Sequence, residues 1–177
     1  MPGRENIFQK AMNEGHSAAW DQEWSKAATA YRRALEEFPD NPKALNSLGL
    51  ALYQQNNVDE ALQIYLRVVK LSPDDPVSVE KVAHLSERVG DLKTAVEAAL
   101  RAGDLFLKQR DTEKALENWV HVTSINPENA IAHSRLAQVH ERLGHQQQAV
   151  MEYLAIASIL QRAGNGEKTQ EMVTKAQ

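Results

Sequence analysis

Small, aromatic and proline residues recur along this chain at an interval of 34, and that period is the strongest constraint on its fold. Gly15 and Gly49 stand 34 apart, as do Ala27, Ala61 and Ala95, Tyr31 and Tyr65, and Pro39 and Pro73. Within each unit a Gly or Ala precedes a second small residue by 12: Gly15 and Ala27, Gly49 and Ala61, Ala83 and Ala95, Gly103 and Ala115, Ala137 and Ala149. An aromatic follows four later at Tyr31, Tyr65, Trp119 and Tyr153, and a proline closes the unit at Pro39, Pro73 and Pro127. A period of this length marks an array of supersecondary units, each of which buries its apolar face only against its neighbours.

The spacings have a physical cause. Two antiparallel helices approach closely only where bulky side chains are missing, so the paired small residues mark crossing points. The aromatic one helical turn beyond fills the space beside the crossing. Proline lacks an N–H, so it ends the second helix or opens the next one at its first turn. Asp40-Asn41-Pro42 and Asp75-Pro76 read as such openings, a capping side chain followed by proline. With 8 Gly and 6 Pro in 177 residues, and Ala, Leu, Glu, Gln, Lys and Arg abundant, the expectation is an all-α chain of about ten helices.

The period then changes. After Ala95 the equivalent alanine comes only 20 later, at Ala115. One longer helix, roughly 92–109, therefore carries a second-helix signature at its start (Ala95) and a first-helix signature at its end (Gly103, Phe106). A further helix is expected from about Thr112 to Ser124. Gly90 to Gly144, Arg88 to Arg142 and Ala95 to Ala149 are each 54 apart. Expected is a single domain over 1–177: a hairpin at 8–41, a hairpin at 42–75, a three-helix unit at 76–129 and a second one at 130–177. The last unit is incomplete, since the counterpart of Pro127 would be position 181, and the sequence is expected to be a piece of a longer array.

These residues carry a resemblance. Leu45, Leu48, Gly49, Ala61, Tyr65 and Pro73 occupy the places of a tetratricopeptide repeat, while residues 8–41 have Glu14 where leucine is usual and residues 76–109 have Ala83 for glycine. The resemblance implies a right-handed superhelical solenoid of antiparallel hairpins whose first helices line a concave groove for a protein or peptide. Carried over, hairpin one would present Met12, His16, Ala19 and Trp20, and hairpin two Lys43, Asn46, Leu50 and Tyr53. The third would present Val77, Glu80, Lys81, His84 and Arg88, and the second half Ser134, Arg135, Gln138 and Arg142. Trp20, at the end of its helix, either faces a ligand or packs under Trp24. Some members hold a partner's terminal carboxylate in this groove; the matching positions are Met12, His16, Ser47, Val77 and Lys81, of which only Lys81 fits.

Other classes of function find no support. A net charge of -4 argues against nucleic acid, which calls for a basic stripe, and no basic amphipathic run suggests a membrane surface. Without cysteine there is no thiol nucleophile or cysteine-held zinc, and no two of the six histidines stand four apart, so neither metal nor cofactor is expected. No Gly-x-Ser-x-Gly or phosphate-cradling loop appears, and no enzyme is expected. With no apolar leader at the N-terminus, a cytoplasmic location is the expectation. Binding a protein or peptide is the leading reading. Its alternatives are self-assembly through exposed apolar residues such as Met172 and Val173, or an adaptor for an effector domain encoded beyond Gln177.

Overall fold

The computed structural model describes residues 2–177, with side chains from residue 3 onward. Those residues form ten helices and no strand: α1 (Pro2–Trp20), α2 (Trp24–Glu37), α3 (Pro42–Gln54), α4 (Val58–Leu71), α5 (Pro76–Arg88), α6 (Leu92–Lys108), α7 (Thr112–Ile125), α8 (Ala130–Arg142), α9 (Gln146–Arg162) and α10 (Gly166–Lys175). The sequence periods reappear in the helix starts. The two 14-residue helices α2 and α4 follow the shorter interval of 34, as do the 13-residue helices α3 and α5. The starts of α5, α6 and α7 recur as those of α8, α9 and α10 at the longer interval of 54. The chain divides into two compact units, Met1–Ala95 and Val96–Gln177, with the division inside α6.

Local chemistry sets these boundaries. The side chain of Asn41 accepts from the Ala44 N–H at 3.1 Å, and Asp75 accepts from the Val77 N–H at 3.3 Å, each with proline in the first helical turn behind it. Asp111, Asn129 and Asn165 cap α7, α8 and α10 in the same way. Helix ends within a repeat share one device, a residue with positive φ after the C-cap that returns two N–H groups to the last turn. At α9, Gly164 (φ 73) donates to the Gln161 carbonyl and Asn165 to that of Leu160. Equivalent places hold Gln22, Asn56 and Arg110, which have β-carbons and yet adopt φ of 59, 60 and 65.

In the N-terminal unit the small residues lie where helices touch: Ala27, Ala44 and Ala61 are fully buried, beside Tyr31, Leu45, Leu52 and Val68. Gly15 meets the ring of Tyr31 and Gly49 that of Tyr65. Burial pushes the Tyr65 hydroxyl up to about 12, with the nearby Asp75 charge adding to the effect. Met12, expected to face a ligand, is instead part of this core at 5% exposure. It lies one turn from Phe8, and so on the same face of α1 as that buried ring, which meets Phe38 edge-on at 5.1 Å.

The C-terminal unit is centred on Trp119, Val122, Leu136 and Ala137, all within 1% of complete burial. Met172, expected as an uncovered apolar residue, packs with Leu160 and Ala176 on a cluster of Ala137, Ala149, Tyr153 and Ile156. No helix among the described residues is long and apolar enough to cross a membrane.

Candidate functional site

Four helices, α1, α3, α5 and α8, carry the residues expected to bind, and the N-terminal unit assembles most of them between α3 and α5. Tyr53, near the end of α3, stands half-buried with two cations from α5 over its ring: Lys81 Nζ at 5.9 Å and the Arg88 guanidinium at 5.3 Å from its centroid. Cations are drawn to the negative face of an aromatic ring, and the contact is stronger where water is partly excluded. Arg88 is further held by donating to the Asn56 side-chain oxygen, at the turn after α3. One turn of α5 before Lys81, the single proton of the Ser78 hydroxyl is shared between the Asp75 carboxylate and Asn46 Oδ1, the latter 3.3 Å away. The Asn46 side chain thereby ties α3 to α5.

Around this frame the remaining expected residues are distributed unevenly. Leu50 stands on α3 with 43% of its surface exposed, between Asn46 and Tyr53 in sequence and one turn from each. Lys43 is exposed in the first turn of α3, and Val77, His84 and Arg88 are exposed on α5, where Glu80 and Lys81 are half-buried. On α1, His16 is exposed and tilted against the ring of Tyr31 at 5.7 Å. Burial raises the Tyr31 hydroxyl above its ordinary value, partly offset by a hydrogen bond with Ser47. Trp20 is 89% exposed and Trp24 only half-buried, so Trp20 does not pack beneath it. The resulting surface is apolar and aromatic (Leu50, Tyr53) beside cations (Lys81, Arg88) and one side-chain amide (Asn46).

A family model described as tetratricopeptide repeat matches residues 12–76, and one described as TPR repeat matches residues 103–144. The chain belongs to the tetratricopeptide repeat family. Its hairpins are therefore tetratricopeptide hairpins, and Asn46, Leu50 and Tyr53 stand on the first helix of one of them. The chain is 21% identical over 144 residues to anaphase-promoting complex subunit 3 of Schizosaccharomyces pombe, covering 73% of this chain and 22% of that protein. The chain spans about a fifth or less of the length of the curated relatives it matches. Among solved structures, it resembles PcrH in complex with the chaperone binding region of PopD, with a TM-score of 0.62 and 17% identity over 70% of this chain and 93% of that one. It also resembles the TPR2B domain of yeast Sti1 in its complex with pHsp70, with a TM-score of 0.60 and 16% identity over 70% of this chain and 98% of that one.

In the tetratricopeptide hairpins of the C-terminal unit, Ser134 and Arg135 are half-buried on α8 while Gln138 and Arg142 are exposed. Arg135 forks onto Asp104 of α6, with Nε 2.8 Å from Oδ1 and Nη2 3.2 Å from Oδ2. Sequence reasoning does not single out Ser78, Asn56 or Asp104. Their roles depend on contacts between helices well separated along the chain, which no local spacing displays. The one available signal is positional: Asn46 and Ser78 stand on the first helices of successive repeats, so they fall on facing rows.

Proposed function

We propose that the chain is a protein-interaction scaffold whose N-terminal unit docks a peptide or a partner protein's segment along α3 and α5. The observation that carries this reading is the Tyr53 ring, half-exposed on a first helix and held under two cations next to the exposed Leu50. A ring fixed in place by its neighbours loses little freedom on binding, and aromatic and arginine side chains carry a large share of binding energy at protein interfaces. The Asn46 side-chain amide supplies hydrogen bonding to the backbone of an extended ligand. The solved relatives PcrH and the Sti1 domain, described in complex with partner segments, support a partner of this kind.

The test is to recover partners with the full chain and compare it with Leu50→Ala/Tyr53→Ala. Both side chains are at least partly solvent-facing, so the double variant is expected to keep its helical circular dichroism and cooperative melting. Partner affinity is expected to fall at least tenfold, about 1.4 kcal/mol or more. Unchanged affinity in a folded double variant rejects the α3–α5 site.

A further inference from the structure

The turn between α8 and α9, wholly within the C-terminal unit, brings two histidines together. His140 Nδ1 and His145 Nδ1 stand 3.4 Å apart, with the ring centroids 5.6 Å apart and the ring planes inclined at 40°. The backbone holds them there: the His145 N–H donates to the His140 carbonyl at 2.8 Å, around Gly144 at φ 73. Matching turns carry no histidine. Their pairs are Ser86 and Asp91, Phe106 and Asp111, and Leu160 and Asn165, each closed by the same backbone bond. Asp91, Asp111 and Asn165 each cap the next helix by accepting a backbone N–H, a bond that the His145 side chain does not make. The α8–α9 turn thus gives up a capping side chain, and the fold requires neither imidazole.

We infer that His140 and His145 form a chelating pair for zinc, which would staple the end of α8 to the start of α9, with water in its two remaining positions. The spacing carries the argument. Two imidazole nitrogens about 2.0–2.1 Å from a tetrahedral zinc stand about 3.3–3.4 Å apart, whereas a square-planar centre would draw them to about 2.8–3.0 Å. The ring centroids of such a pair lie about 5.2 Å apart, and a small swing of the two rings closes the difference from 5.6 Å, since the outer torsion of histidine is broad. His145 is exposed and His140 half-buried, so an ion reaches the pair from solvent. Zinc takes neutral imidazole: whichever ring donates within the pair moves its Nδ1 proton to Nε2, and both Nδ1 lone pairs then serve the ion. Burial favours the neutral form of His140, the Glu152 charge opposes it and His145 adds to it. The same Glu152 charge favours a cation beside His140. His133 stays out of the site, because its Nδ1 faces Glu152 at 2.5 Å and its Nε2 the Pro127 carbonyl at 3.0 Å.

The probe is zinc chloride, titrated into the full nitrogen-labelled chain at neutral pH and followed by long-range proton–nitrogen spectra of the imidazoles. The Nδ1 resonances of His140 and His145 are expected to move together and to saturate, while those of His16 and His133 stay in place. Zinc is also expected to raise the melting temperature, since it binds the pair only where the fold has assembled it. His145→Gln replaces an exposed side chain that makes no cap bond, so the variant is expected to melt as the parent does without metal. Its affinity for zinc at His140 is expected to fall at least tenfold, and zinc is expected to leave its melting temperature unchanged. Magnesium chloride, a hard cation that prefers oxygen, is expected to move neither ring. Nδ1 signals unmoved by millimolar zinc, or movement of one ring alone, overturn the assignment. So does an equal response to magnesium, or unchanged zinc affinity in His145→Gln.

Discussion

The indole of Trp119 closes against Gly103, so that a β-carbon on that glycine would stand 2.7 Å from Cε2 and 2.8 Å from Cδ1 of the ring. Trp119 is completely buried and has nowhere to retreat. The same pairing joins Gly15 to Tyr31 and Gly49 to Tyr65, always at the same interval of 16. Glycine thus stands in mid-helix, where it costs about 1 kcal/mol relative to alanine, because a large ring on the next helix occupies its missing side chain. Gly103→Ala is expected to destabilise the C-terminal unit by about 1–3 kcal/mol, the scale of overpacking in a tight core. In a Trp119→Leu background the same substitution is expected to cost nothing or to stabilise. Denaturant unfolding of the four proteins measures the coupling, and simple additivity of the two changes would show that ring and glycine do not meet as described.

The helix-ending turns make an opposite prediction for glycine. Arg110 sits at φ 65, the left-handed conformation that Gly164 adopts at the matching place in the next three-helix unit. A β-carbon in the left-handed region costs about 1–2 kcal/mol, while glycine in the unfolded chain gives back roughly half of that gain. Arg110→Gly is therefore expected to stabilise the protein by about 0.5–1 kcal/mol, and Gly164→Ala to destabilise it by a similar amount. Both positions are exposed, so packing contributes little. If Arg110→Gly lowers the unfolding midpoint, the turn geometry is not as described.

The helices are legible in the sequence because their determinants are local and periodic. Pro42 and Pro76 open α3 and α5, Asn41 and Asp75 cap them, and the interval of 54 fixes α8, α9 and α10 from α5, α6 and α7. What sequence does not show is which of two neighbouring rows on a helix faces water. Analogy of position puts Met12 in the groove, but its spacing from Phe8 puts it on the buried stripe. Along the chain Lys81 and Arg88 are two separate cations, and nothing in their distance from Tyr53 in sequence announces that they share its ring. The division inside α6 is equally silent, since it falls between Ala95 and Val96 with no proline or turn residue beside it.

Acidification is expected to weaken the C-terminal unit through His140. Burial holds its imidazole below the ordinary histidine value and the nearby His145 adds to this, while the Glu152 charge opposes it. The two imidazoles lie 5.6 Å apart, centroid to centroid. Because the folded value is depressed, the unfolded chain takes the proton first as pH falls. The contribution is intact above about pH 6.5, the unfolded histidine value, and is lost as pH falls through the folded value. His140→Gln is expected to show a shallower loss of melting temperature between about pH 7.5 and pH 5.5 than the parent protein. Parallel pH profiles for the two proteins would remove His140 from the account.

Trp20 offers a direct optical reading of the N-terminal unit. It is 89% exposed, whereas Trp24 is half-buried and Trp119 completely buried, so the three indoles of this chain sample three environments. An indole in water emits further to the red and is readily quenched by acrylamide, while one sealed in a core is not. Trp20→Phe is expected to shift the emission to the blue and to remove most of the quenchable fraction, with no change in melting temperature, because so exposed a ring buries little apolar area to lose. Should partner docking along the first helices extend to α1, the parent protein would lose the same red, quenchable emission on binding, while the Trp20→Phe variant would show no such change. Unaltered quenching after Trp20→Phe would mean that the ring is covered in solution, and that α1 ends differently from the helix described.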